Sequence, residues 1–242
     1  MRARGLAFII GTISFLLSSG GVSMAKTTIT MKTGILVVDV QGDFTTSKNG
    51  SLAVEGTDEA YVEAVGQTSK RLKEAGFSVY ATQDWHPSDH VSFFTGHKGN
   101  KAFDIIRLHG KNQVLWPPHC VQNSPGAEIL LDKKLFKAIV KKGMDPQFDS
   151  YSGFQDDGGK KTELDKILRK DRIGKVVIYG LATDYCVRAT SLDAIAAGYQ
   201  VVVIKTLCRG VASDTTQRAL EEMKARGVVV LDEVDLDEIR IK

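Results

Sequence analysis

Cys186 closes the segment Gly180-Leu181-Ala182-Thr183-Asp184-Tyr185-Cys186, where an apolar run over 175–179 ends and a helical pattern begins. A thiol at such a turn sits among unpaired backbone N–H groups and the positive end of the helix dipole. Both stabilise thiolate, and the same N–H groups can receive a developing oxyanion. Two other residues end apolar runs in a similar way: Asp39 after Gly34-Ile35-Leu36-Val37-Val38, and Lys142 before Gly143. A carboxylate can take a thiol proton and later deliver it to a leaving amine, and a cation can hold both partners in their charged forms.

A second constellation has the composition of a metal site. Asp84, His86 and His90 fall within Asp84-Trp85-His86-Pro87-Ser88-Asp89-His90, and His119 lies in Trp116-Pro117-Pro118-His119-Cys120. One carboxylate and up to three imidazoles, with positions left for water, suit zinc, manganese or iron and hardly suit calcium or magnesium. Asp89 is an alternative ligand within the same stretch, whereas His97 and His109 have no acid at ligand spacing. A metal beside a cysteine can supply the nucleophile itself or orient the substrate, and the residues alone do not choose between these. Phe44, Trp116 and Tyr151 flank the polar groups and could wall a pocket for a flat ring.

These residues need elements to position them. The run 34–38 reads as a buried strand ending in Asp39, and apolar or small residues at Tyr61, Val65, Thr68, Leu72 and Ala75 describe an amphipathic helix over 58–76 capped by Gly76. Strands follow at 77–83, 138–142, 175–179, 199–204 and 228–231, with helices at 186–197 and 214–226. Strands alternating with helices predict an α/β domain, a parallel sheet covered on both faces, with ligands outside the carboxyl ends of its strands. The candidate residues all fall at such ends. Residues 87–125 show little periodicity and form too long a loop for a mere connector.

With 242 residues, 43% of them hydrophobic, the chain can bury one large core. Its net charge is +3, with Arg2 and Arg4 contributing from the extreme N-terminus. The remainder is close to neutral and its charges are interspersed, which argues against nucleic acid as a partner. Arg2 and Arg4, the apolar run 6–17, and Ser23 and Ala25 before a cleavage point have the pattern of a secretory leader over 1–25. The reading is therefore a leader followed by a single domain over 26–242, periplasmic or secreted and free of the membrane. The alternative is a cytoplasmic chain starting at Met24. Three widely spaced cysteines, Cys120, Cys186 and Cys208, do not make a disulfide framework.

From about Gly34 to Leu231 the chain resembles nicotinamidases of the isochorismatase-like superfamily. The likeness is carried, in the family's order, by Asp39-Val40-Gln41-Gly42-Asp43-Phe44, Gln83 to His90, Trp116 to Val121, Lys142-Gly143, Asp149-Ser150-Tyr151-Ser152-Gly153-Phe154 and Gly180 to Val187. It implies a three-layer α/β fold, with a mostly parallel sheet of about six strands and helices on both faces. It implies a catalytic triad of Asp39, Lys142 and Cys186, and metal ligands Asp84, His86 and His119 with His90 as a fourth. Zinc is the first expectation for the ion and manganese or iron the alternatives. Leu181–Ala182 would be a cis peptide, the N–H groups of Ala182 and Cys186 would form the oxyanion hole, and Phe44, Trp116 and Tyr151 would enclose the ring. The implied reaction converts nicotinamide to nicotinate and ammonia through a cysteine thioester, serving NAD salvage, with pyrazinamide as a further substrate. The implied partners are such small amides and, as an option, a second copy of the chain in a homo-oligomer.

Two features depart from the family: Gly42 stands where Asn is common, and a leader is unusual. Two other readings remain compatible with the residues, a related amidase or carbamoyl hydrolase and a catalytically silent metal-binding relative.

Overall fold

The computed structural model describes residues 30–241. The leader expected over 1–25 lies outside the described residues. Among those described, no helix is long and apolar enough to cross a membrane.

The elements run in the order β1 (Lys32–Val38), α1 (Glu59–Glu74), β2 (Ser78–Asp84), β3 (Ile105–Leu108), β4 (Lys111–Val114), β5 (Ala138–Lys142), α2 (Leu164–Lys170), β6 (Ile173–Leu181), α3 (Arg188–Ala196), β7 (Gln200–Arg209), α4 (Ser213–Ala225), β8 (Val229–Leu231) and α5 (Leu236–Ile239). Six strands form one sheet in the order β5-β2-β1-β6-β7-β8, and every pairing in it is parallel. The chain therefore builds outward from β1 through β2 to β5, then returns to the other side of β1 and builds outward through β6 and β7 to β8. The change of direction falls between β1 and β6, where a crevice opens beyond the carboxyl ends.

Residue alternation shows which layer covers which face. Leu36 pairs with Tyr80, and the next residue, Val37, pairs with Tyr179, so the two tyrosines project from opposite faces. Tyr179 bonds Ser69 of α1 through its hydroxyl at 2.8 Å. Tyr80 donates to Asp171, the residue that ends α2, at 2.6 Å. Helices thus cover both faces, and Ile35, Leu36, Val38, Val176, Val177 and Ile178, on the two central strands, are fully buried between them. Burial on both faces is why these strands read as continuous apolar runs rather than as alternating ones.

Helix α1 follows the expected stripe, burying Tyr61, Val65, Thr68, Ser69 and Leu72, with Asp58 capping it by accepting from Tyr61 N at 3.0 Å. Three expectations are corrected. The segment 87–125 is not without strands: β3 and β4 form a hairpin whose two turn residues, His109 and Gly110, both have positive φ. Helix α2 was not foreseen, because seven residues give only two turns of periodicity. Cys186 does not open an α-helix either. It lies inside a π-helical turn, Thr183–Val187, which leads into α3.

Candidate active site

The carboxyl ends of four neighbouring strands converge at the crevice. Asp39 follows β1 and Asp84 ends β2, where it pairs in register with Lys142 at the end of β5, and the turn after β6 carries Ala182 and Cys186. Glycine permits this crowding at two places. A Cβ on Gly180, with φ +127, would meet the Val38 carbonyl oxygen at 2.1 Å, so β1 and β6 could not close together beneath the site. A Cβ on Gly143, with φ +67, would strike the His86 ring at 2.3 Å.

Lys142 is the hub. Its side chain is fully buried, and its three N–H donors go to Asp84 Oδ1, to the Ser150 carbonyl at 2.8 Å and to Cys186 Sγ at 3.4 Å. Asp39 Oδ2 forms an ion pair with the same nitrogen at 3.0 Å and accepts no aligned hydrogen bond among the described residues. The other oxygen, Oδ1, accepts from Thr82 Oγ1 at 2.7 Å. An oxygen of Asp39, one of Asp84 and Cys186 Sγ lie within 4.8 Å of one another, so Oδ2 is an open acceptor close to the thiol. This trio has the spacing of a cation site, and the cation it already holds is Lys142.

Burial would push the Lys142 ammonium down, but Asp39, Asp84 and Cys186 hold it well above the usual lysine value. Burial also raises the Asp39 carboxyl, with Lys142 opposing and Asp84 adding to the rise. For Asp84, burial is outweighed by Lys142 and His86, and its carboxyl stays ionised. Burial pushes the Cys186 thiol well up against the pull of Lys142. Burial thus opposes the thiolate that a helix N-terminus favours, and a neighbouring base helps the sulfur to lose its proton.

Beside this cluster, donor atoms of Asp84, His86 and His119 converge within 4.8 Å of one another. Nδ1 of His86 bonds the Gly143 carbonyl and Nδ1 of His119 the Pro117 carbonyl, both at 2.8 Å. That fixes both rings and leaves Nε2 of each for a ligand, as metal-binding histidines require. Burial and the nearby His86 push His119 down to about 4, which keeps its imidazole neutral. Two carbonyl-oriented imidazoles and a carboxylate thus fit a divalent transition metal. Gln41 braces the carboxylate from behind, its amide bonding both the N–H and the C=O of Asp84 at 2.8 Å.

His90, expected as a fourth ligand, does not join the converging set. Its Nδ1 faces Ser92 Oγ at 2.8 Å and its Nε2 the Phe148 carbonyl at 3.2 Å, so both nitrogens are committed. Its ring instead packs on His86, with centroids 4.2 Å apart.

A small pocket opens onto Cys186, Ala182, Asp84 and His119, with Phe44, Trp116 and Tyr151 in its wall. Trp116 donates from Nε1 to the Tyr151 hydroxyl at 3.0 Å. Tyr185 meets Trp116 edge-on at 4.9 Å, and Phe44 lies 5.4 Å from the His119 ring. The Leu181–Ala182 peptide is cis. Sequence reasoning missed Leu52, Val54, Asp149, Tyr185 and Val211 in this wall. Tyr185 and Asp149 lay inside quoted motifs, whereas Val211 comes from the distant loop after β7 and gave no signal. Asp184 ties that loop down, accepting from Val211 N at 2.9 Å, from Ala212 N and from Thr215 Oγ1.

The isochorismatase domain family matches residues 33–235. The chain belongs to this family. Within it, the chain is 42% identical over 209 residues to the nicotinamidase of Escherichia coli, covering 84% of this chain and 96% of that one. The yeast nicotinamidase bound to the inhibitor nicotinaldehyde superposes with a TM-score of 0.78 at 30% identity, covering 83% of this chain and all of that one. The pyrazinamidase of Pyrococcus horikoshii in complex with zinc superposes at 0.68 with 38% identity, covering 83% and 99%. The isochorismatase-like fold read from the sequence is thus the fold of the molecule.

Proposed function

We propose that this member of the isochorismatase family is a nicotinamidase, hydrolysing nicotinamide to nicotinate and ammonia, with pyrazinamide as a second substrate. The observation that carries the reading is the position of Lys142, 3.0 Å from Asp39 and 3.4 Å from Cys186, the sulfur of which opens onto an aromatic pocket. The nicotinamidase relatives support the choice of amide.

In this reading the thiol proton passes to Asp39 Oδ2 as Sγ attacks the carboxamide carbon. Lys142 stabilises the sulfur as it becomes anionic and the carboxylate until it is protonated. The N–H groups of Ala182 and Cys186 receive the oxyanion. Collapse breaks the C–N bond, Asp39 returns its proton to the leaving nitrogen, and ammonia departs from a thioester on Cys186. A water then loses a proton to Asp39 as it attacks the thioester carbon; collapse breaks the C–S bond, and Asp39 returns the proton to Sγ as the acid is released. Phe44, Trp116 and Tyr151 hold the ring flat. Asp84, His86 and His119 would hold one divalent ion, zinc or else manganese or iron, which when bound supplies a Lewis acid for the ring nitrogen and for water.

The test is ammonia release from nicotinamide by the protein beginning at Lys26, with and without chelator, together with peptide mass mapping after acid quench during turnover. The expected result is chelator-sensitive release and a nicotinoyl adduct on the Cys186 peptide. No release with metal restored, or an adduct elsewhere, would refute it.

Residues 1–25 are, on the same footing, an export leader, a reading supported by Arg2, Arg4, the apolar run 6–17 and the small residues Ser23 and Ala25. Mass spectrometry of the native N-terminus tests it: Lys26 as first residue fits export, and Met24 or Met1 contradicts it.

A further inference from the structure

One buried charged group in the pocket wall has no part in the steps above. Asp149 is only 5% exposed and faces the pocket among Phe44, Leu52, Trp116 and Tyr151. Its oxygens accept from Gln113 Nε2 and from Ser150 N, each at 2.8 Å. The Tyr151 hydroxyl beside it in the wall accepts from Trp116 Nε1 at 3.0 Å. Both Asp149 carboxylate oxygens thus serve as acceptors, and burying the group is costly even so. Besides holding these bonds, a carboxylate in the pocket wall has an electrostatic effect that an amide in its place would lack.

That effect is on ligand charge. Asp84 and Asp149 are the two carboxylates that line the pocket, so Asp149 makes the protein's own field there more negative. The proposed substrate is a neutral carboxamide, whereas its product is a carboxylate of nearly the same shape. A fixed negative charge in the wall leaves the first almost unaffected and repels the second.

We propose that Asp149 is a specificity-determining residue that favours the neutral amide over the anionic acid and so drives product release. The inference rests on the nicotinamidase reading and adds a discriminating group to it. In a Cys186→Ala chain, which binds without turnover, calorimetry with nicotinamide and with nicotinate measures the preference directly, with metal content and melting temperature recorded for each variant.

The parent should prefer the amide by about tenfold or more, the order expected of one charge at short range. Adding Asp149→Asn should tighten nicotinate about tenfold while nicotinamide changes by less than about threefold, and Asp149→Glu should keep the parent's preference. Equal affinity of the parent for the two ligands would overturn the inference, as would an unchanged ratio in Asp149→Asn or a parallel loss of both ligands. If nicotinamide itself failed to bind the metal-loaded parent, the substrate reading would fall and this inference with it.

Discussion

Lys142 Nζ stands 3.4 Å from Cys186 Sγ with no part of its side chain open to solvent, so the nucleophile and its cation share one dry compartment. Two carboxylates complete that compartment, with Lys142 as their shared counter-ion. Lys142→Met would leave Asp39 and Asp84 buried without their counter-ion. We expect a loss of about 3–5 kcal/mol in denaturant unfolding, the range for breaking a buried ion pair, together with loss of amide hydrolysis. A melt like that of the unaltered protein would contradict the role given to the lysine.

Asp39→Asn separates base from scaffold. The amide oxygen can still accept from Thr82, so the fold should hold, while Oδ2, the open acceptor near the thiol, is gone. Turnover should fall about 10²–10⁴-fold, the usual contribution of a general base, with a circular dichroism spectrum like that of the unaltered protein.

The pH dependence follows from the same residue. Asp39 acts only when ionised, and burial raises its pKa above the ordinary aspartate value. Activity should therefore be full above that raised pKa and fall as pH drops through it, at a pH higher than an exposed aspartate would give. A kcat/KM profile measured on metal-saturated protein checks this, and an acid limb at or below the ordinary carboxylate value would contradict it.

Metal content should sort the histidines. His86→Ala and His119→Ala each remove a converging donor and should lose most of the bound ion. His90→Ala removes a ring whose nitrogens serve Ser92 and Phe148 and should retain far more of it. Elemental analysis after dialysis decides, and equal losses from all three would restore His90 as a ligand.

Gly180→Ala tests the close approach beneath the site. Its Cβ would lie 2.1 Å from the Val38 carbonyl oxygen at a φ of +127, a strain of about 2–4 kcal/mol or more that should appear as reduced stability in urea.

The sequence showed more of the site than of the scaffold between its parts. Asp39, Asp84, Lys142 and Cys186 were visible because each ends an apolar run, and in a parallel sheet such ends meet on one side. The strand order and its reversal between β1 and β6 were not visible, since periodicity carries no information about neighbours. The β3–β4 hairpin escaped notice because its four-residue strands are too short to establish alternation. For His90, spacing brings an imidazole near an ion but does not reveal that its nitrogens face the Phe148 carbonyl and the Ser92 hydroxyl. The burial that pushes the Cys186 thiol up is likewise something a helix-start pattern does not report.

The most direct measurement is steady-state ammonia release from nicotinamide by metal-loaded Cys186→Ala, with folding and metal content matched to the unaltered protein. The account predicts a fall of at least about 10⁴-fold, on the scale of removing a nucleophile. Retention of most of the activity would mean that sulfur does not attack the amide and that the Asp39–Lys142–Cys186 cluster is not the catalytic centre.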